Sequence, residues 1–304
     1  MTHTTALPPL PSAGTCALPH WGVIRATGPD AATFLHNQLT QDFLLLKPEQ
    51  ARLAAFCNAK GRMQASMIGF KTGPEEVLLV MRQDLLAQTL KRLSMFVLRS
   101  KVKLSDASAE LAVWGCLGHS ASSPWSLAAQ GAAWEVSLYP AAGVSRSLQV
   151  WPTASAPTQA TLDLNDWLLG EVLSGIADVQ AASFEAFVPQ MLNYESVDGV
   201  NFKKGCYPGQ EVVARSQFRG TLKRRTYLAS AQAALAVGQE VFAASDPAQP
   251  AGLVAQAVHH PLHGDWALLC LQTQAAEQGD LHLGTVAGAA LHLHPLPYAL
   301  REDI

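Results

Sequence analysis

Apolar and polar positions change their period several times along the chain. WGVIRATG (21–28) reads as a short strand ending in a turn. GPDAATFLHNQL then takes the helical period, with Phe34, Leu35 and Leu39 on one face. Residues 51–81 (ARLAAFCNAKGRMQASMIGFKTGPEEVLLVM) predict three strands. NAKG and KTGPEE are the turns between them, because Asn and Gly tolerate positive φ. RQDLLAQTLKRLSMFVLRS (82–100) predicts an amphipathic helix capped by Asp84, with Leu86, Leu90 and Leu93 on its apolar side. Strands are expected near 101–104, 111–117, 134–139 and 146–151.

PTASAPTQAT (152–161) has the composition of a linker. LNDWLLGEVLSG (164–175) predicts a helix with Gly175 just past its end. Residues 176–204 show little period and predict a long ordered loop, which in a compact protein is more often functional than idle. From Tyr227 onward, RTYLAS, QEVFAA, GLVAQAV, WALLCLQ and ALHLH alternate with turns. That pattern predicts a small antiparallel barrel or sandwich. Mixed strands and helices followed by an all-β end make this an α+β protein.

At 304 residues the length favours two or three domains. Apolar residues make up 49% and charged residues 15%, which excludes a disordered chain. The net charge of −3 excludes a nucleic-acid binder on charge alone. Cysteines stand at 16, 57, 116, 206 and 270, an odd number with no CxxC spacing. A disulfide framework is not expected, and a reducing, cytoplasmic location is. Residues 1–20 lack Lys, Arg and a solid apolar block, so they do not resemble a signal peptide and are expected to form a flexible arm. No run reaches the roughly 18 apolar residues of a membrane span, and no membrane contact is expected.

One segment departs from the average. Residues 203–225, KKGCYPGQEVVARSQFRGTLKRR, hold Lys203, Lys204, Arg215, Arg219, Lys223, Arg224 and Arg225 against a single acid, Glu211. Such a segment suits an anionic ligand or a weak contact with RNA; a solvated face with no ligand gives the same composition. Within it, Gly205 and Gly209 bracket Cys206, and Pro208 suits the first position of a helix continued by GQEVVARSQF. A cysteine before a helix N-terminus and beside two lysines is expected to favour thiolate. The other four cysteines are expected to be small core residues.

KGCYPGQEVVAR resembles the signature of the YgfZ family of folate-binding proteins, relatives of the glycine-cleavage T-protein. The K-G-C-aromatic-x-G-Q-E-x-x-x-R pattern is met at Lys204, Gly205, Cys206, Tyr207, Gly209, Gln210, Glu211 and Arg215. FLHNQLTQD (34–42), FCNAKGRM (56–63) and HPLPYAL (294–300) resemble further elements of that family, so the likeness spans nearly the whole chain. It implies a GcvT-like ring of three small domains around a central channel, the last a β-barrel. In those terms residues 21–225 form the folate-binding region, with roughly 50–103 as its second subdomain, and 226–304 form the barrel.

The resemblance further implies a tetrahydrofolate-binding accessory protein for iron–sulfur cluster assembly or repair, and thereby for tRNA modification. Iron–sulfur enzymes or assembly proteins are the implied partners. The family's folate site carries over to Trp21 and Trp167, whose indoles offer flat faces to a pterin. Both would otherwise read as core residues, like Trp114, Trp125, Trp134, Trp151 and Trp266. Cys206 is implied as the reactive group, facing the opening, with Lys204 and Arg215 stabilising negative charge. Tyr207, Gln210 and Glu211 complete the expected cofactor loop.

The rival readings are a folate-dependent aminomethyl or methyl transferase, which needs a carboxylate such as Asp42 or Glu195 near the pterin, and a direct RNA binder using 203–225. His259, His260, His263, His292 and His294 lack accompanying ligands with metal spacing, and no metal is expected. No G-x-S-x-G, Walker or dinucleotide pattern occurs.

Overall fold

The computed structural model describes residues 6–118, 122–218 and 222–301. The chain runs through β1 (Gly14–Ala17), β2 (Trp21–Thr27), α1 (Ala31–Gln38), β3 (Ala51–Cys57), β4 (Met63–Gly73), β5 (Glu76–Arg82), α2 (Gln83–Ser94) and β6 (Lys103–Asp106). It continues with β7 (Leu111–Leu117), β8 (Leu127–Gln130), β9 (Ala133–Ala141), β10 (Val144–Pro152) and α3 (Leu164–Leu173). After α4 (Gln210–Phe218) come β11 (Arg224–Ala231), β12 (Glu240–Ala243), β13 (Gly252–His260), β14 (Gly264–Gln272), α5 (Thr273–Gln278), β15 (Leu281–Leu283) and β16 (Ala290–His294).

These strands make three antiparallel units. The first sheet has the order β3-β4-β5-β2-β6 and the second β1-β7-β10-β9-β8. The remaining six strands close into a barrel, β11-β14-β13-β12-β15-β16. Closure leaves the barrel without free edges, which short strands need if they are to avoid pairing with other chains. Helix α3 packs on β13 and β14 of the barrel and also touches β1 and β9 of the second sheet.

The sheets divide the chain differently from the expected subdomains. Trp21–Thr27 pairs with both Glu76–Arg82 and Lys103–Asp106, so 21–106 is one sheet rather than two subdomains split at 50. The barrel's first strand starts at Arg224, just before the expected boundary. The flexible arm is corrected as well: Gly14–Ala17 pairs with Leu117–Trp114, and Leu10, Cys16 and Leu18 are buried. The strand's partner lies about a hundred residues away, so its local composition of Pro, Ala and Thr conceals it. Residues 1–5 lie outside the described residues.

Two local expectations also shift. Helix α2 has Arg82 at its N-cap; Asp84 instead accepts the Ala181 N–H at 2.9 Å. The loop 176–204 is ordered by three short 3₁₀ turns and by side chains that satisfy distant backbone groups. Tyr194 Oη donates to Ala177 O (2.8 Å), Gln190 Nε2 to Val213 O (2.7 Å) and Asn193 Nδ2 to Thr226 O (2.9 Å). Deleting residues 1–19 should remove the edge strand and the burial of Leu10 and Leu18. Urea denaturation should show a loss of about 3 kcal/mol, where a flexible arm would leave the midpoint unchanged.

Candidate functional site

The stretches that the sequence marks as informative meet around the Cys206 loop. Lys204 is buried, and its Nζ donates to the carbonyls of His36 and of Leu39 (2.9 Å) at the C-terminal end of α1. Those carbonyls have no partner within the helix, so the ammonium serves as their cap. Its Nζ also stands 4.5 Å from the centroid of the Tyr207 ring. Burial brings the Lys204 ammonium down to about 8, against the opposing pull of Asp42 and Cys206. Thr40 Oγ1 donates to Gly199 O (2.8 Å), Asn201 N–H donates to Thr40 O (2.9 Å), and Gln41 Nε2 donates to Asp198 O.

The β3–β4 turn closes the other side. At Gly209 (φ +81°) an added Cβ would collide with the carbonyl oxygen of Asn58 and stand 2.7 Å from Gly61 Cα. Only glycine allows both that φ and that approach. The elements 34–42, 56–63 and 204–215 are therefore one assembly. Cys206 is exposed on it, whereas Cys16, Cys57, Cys116 and Cys270 are buried. Burial pushes those four thiols up, to about 12, 12, 11 and 12, and makes them inert.

Part of the basic segment serves the fold: Lys204, Arg224 and Arg225 bond to backbone or buried groups. Arg225 is buried and donates to Glu195 Oε1 at 2.8 Å, and Arg224 donates to Ala251 O at 3.2 Å. Arg215 pairs with Glu211 on the open face of α4 (2.7 Å). Lys203 and Lys223 stay exposed, and Arg219 lies outside the described residues. Of the expected basic surface, Lys203, Arg215 and Lys223 are exposed, whereas Lys204 and Arg225 are buried. Exposed cations gather also at Lys91, Arg92, Arg99, Lys101 and Lys103, beside exposed Met95, Phe96 and Leu98.

A second constellation lies at α3. Trp167 Nε1 and Trp21 Nε1 donate to the same oxygen, Glu171 Oε1, at 2.8 and 3.0 Å, with His20 Nε2 at 3.1 Å. The spacing of four residues puts Trp167 and Glu171 on one face of α3. Burial works against the Glu171 charge, but His20, Arg82 and Arg146 outweigh it and hold the carboxyl well below its ordinary value. Burial and the Glu171 charge push nearby Asp178 up, to about 7. Gly115 lets the Trp167 ring lie close, since an added Cβ would stand 2.5 Å from it. The Arg146 guanidinium sits 4.6 Å from the Trp167 ring centroid.

Trp21, Trp125, Tyr139, Arg146, Trp167, Glu171 and Asp178 line a cavity with Leu53 and Ile68 of the first sheet. Its volume is about 40 Å³, room for a water and well short of the roughly 300 Å³ of ordinary ligand sites. The two indole N–H groups converge on Glu171 Oε1. Glu171 Oε2, Arg82 Nε and Arg146 Nε are buried here without hydrogen-bond partners. Of the expected cofactor residues, Trp21 and Trp167 line this cavity; Tyr207, Gln210 and Glu211 do not, nor does Cys206. Loop and cavity are separate because the loop folds against α1 and the β3–β4 turn. Among the described residues no group of three or more His, Cys, Asp or Glu is placed to hold a metal. No helix there is long and apolar enough to cross a membrane.

No protein-family model matches the chain. It is 30% identical over 306 residues to the tRNA-modifying protein YgfZ of Photorhabdus laumondii, covering 94% of this chain and 93% of that protein. The chain belongs to the YgfZ family. The tRNA-modifying protein YgfZ of Yersinia pestis is 29% identical, covering 99% of this chain and 98% of its own length. The glycine cleavage system aminomethyltransferase T of Bartonella henselae shares the fold, with a TM-score of 0.64 at 16% identity. That structure covers 95% of this chain and 86% of its own. The GcvT-like α+β fold with a terminal barrel is therefore that of this YgfZ-family chain.

The polar centre of the cavity leaves little trace in the sequence. The signal for Glu171 is its i+4 spacing from Trp167; Trp125, Tyr139, Arg146 and Asp178 come from distant elements and carry none. Glu171→Gln should destabilise the protein by about 3 kcal/mol at pH 7, because Arg82 and Arg146 lose their buried counter-charge. Since the folded-state pKa is lowered, that contribution is complete above about pH 4.5 and fades as the pH falls toward about 2. Urea denaturation at pH 7 and pH 3 should show the gap between the two proteins narrowing in acid.

Proposed function

We propose that this chain is a tetrahydrofolate-binding accessory protein that supports iron–sulfur cluster assembly or repair and, through it, tRNA modification. The observation that carries the reading is the indole-lined cavity on α3, where Glu171 Oε2 and Arg146 Nε lack hydrogen-bond partners. Orphaned buried donors and acceptors call for a polar partner, and a pterin offers both kinds of group beside a flat aromatic face. Trp21 and Trp167 would hold the ring, Glu171 its donor edge and Arg146 an acceptor. With about 40 Å³ available, binding requires Arg146 and its neighbours to move aside. When bound, a one-carbon derivative of tetrahydrofolate would supply a one-carbon unit, and tetrahydrofolate itself would accept one.

The names of the YgfZ relatives support a role in tRNA modification. Cys206 supports the cluster role as an exposed thiol on a rigid loop. A cluster usually takes four ligands, so Cys206 needs a partner protein: an iron–sulfur enzyme or an assembly factor. A cytoplasmic location goes with that role.

One observation favours a second reading, a one-carbon transferase. Asp178 lines the same cavity with its carboxyl near 7, where an acid–base group is most effective. The two acids expected for this role do not serve: Glu195 is paired with Arg225, and Asp42 lies against His36. Transfer from methylene-tetrahydrofolate to glycine that survives Cys206→Ala and is lost in Asp178→Asn would establish this reading.

For the leading reading, tetrahydrofolate should quench tryptophan fluorescence, and Trp167→Ala should weaken binding at least tenfold. Unchanged affinity in that variant removes the cavity as the folate site. In a deletion strain scored for iron–sulfur enzyme activity, native protein should complement and Cys206→Ala should not.

A further inference from the structure

Beside the Cys206 loop lies a histidine that the reading above does not use. His36, near the end of α1, is more than nine-tenths buried. Its Nδ1 stands 3.1 Å from Asp42 Oδ1. Asp42 Oδ1 also accepts the Leu45 N–H at 2.9 Å, which fixes the carboxylate. Burial raises the Asp42 carboxyl, but that backbone N–H and His36 outweigh it and hold it below its ordinary value. A carboxylate beside Nδ1 accepts a hydrogen bond from it, which keeps the imidazole proton on Nδ1 and leaves the lone pair on Nε2.

Nε2 has no hydrogen-bond partner among the described residues. It lies 3.4 Å from where a Cβ on Gly205 would be, immediately before Cys206 in the chain. The absent side chain at Gly205 keeps the space between imidazole and loop open. Cys206 is exposed, and among the described residues it makes no hydrogen bond that would hold its sulfur away. The other charged group against this histidine is Lys204, whose Nζ is bound to the His36 carbonyl.

We propose that His36, oriented by Asp42, is the proton acceptor for the Cys206 thiol, so that Asp42, His36 and Cys206 form one nucleophile-activating unit. The proposal rests on the reading of Cys206 as a reactive thiol. The S–H bond breaks, an Nε2–H bond forms, and the electron pair stays on sulfur. The imidazolium so formed is held by the Asp42 carboxylate, and the thiolate is free to attack a soft electrophile. Proton acceptor and thiol need not be hydrogen-bonded before the electrophile arrives.

The test is the rate of Cys206 alkylation by iodoacetamide in the full-length protein between pH 5.5 and 9, followed by intact mass, with Cys206→Ala as the blank. Native protein should react at pH 6.5 at least tenfold faster than N-acetylcysteine. His36→Gln should lower that rate about tenfold and move the inflection of the profile up by about one pH unit. Asp42→Asn should move it in the same direction by less; it retains the shape of the side chain if His36→Gln fails to fold. Fast alkylation of the native protein with an unchanged profile in both variants overturns the role of His36 and leaves Cys206 reactive. A native rate no faster than N-acetylcysteine overturns both.

Discussion

One carboxylate holds the three units in register. Glu171 projects from α3, a helix packed between the barrel and the second sheet, and its Oε1 collects two indole N–H groups and His20. Trp21 and Arg82 belong to the first sheet, Arg146 to the second, so their charges and donors reach one point from different units. An isolated buried carboxylate would neutralise itself by taking up a proton. Here the cations prevent it, and the consequence is geometric: none of these elements can shift without leaving a charge unpaired. On its other side α3 is tied to the barrel through Asp166 and His260, 3.1 Å apart.

The Cys206 loop is fixed by a different means, chiefly through backbone groups. Lys204 caps α1, Thr40 bridges to Gly199 and Ala55, and Gly209 lies against the Asn58 carbonyl. A reactive thiol gains from such rigidity, because a loose cysteine loses orientation entropy in each encounter. The lysine two residues before Cys206 is therefore structural first. Its charge, brought down to about 8 by burial, is the smaller part of its role.

The fold is largely legible in the sequence because its signals are local. Periods of two and 3.6, Gly175 after α3 and the turns at NAKG and KTGPEE each depend on neighbouring residues. What is not legible depends on distant partners. β1 reads as a flexible arm until β7 is placed beside it, and the basic run does not reveal that Arg225 turns inward to Glu195 and Arg224 bonds to Ala251. The site divides in the same way. Cys206 and its loop stand out from contiguous residues, and Trp21 and Trp167 enter through family resemblance. Arg146 and Asp178 carry no local mark at all.

The two sites are separate but mechanically joined by the β3–β4 hairpin. Leu53 and Ile68, paired directly across it, line the indole cavity, while its turn, Asn58 to Gly61, supports Gly209 in the Cys206 loop. A ligand larger than the present cavity must displace side chains that rest on these strands. A paired hairpin resists bending within its ladder and transmits displacement along it. The hairpin is thus an element shared by the cavity wall and the loop support, and its ladder shifts register between Phe56 and Cys57 before Cys57 pairs with Met63 beside the turn.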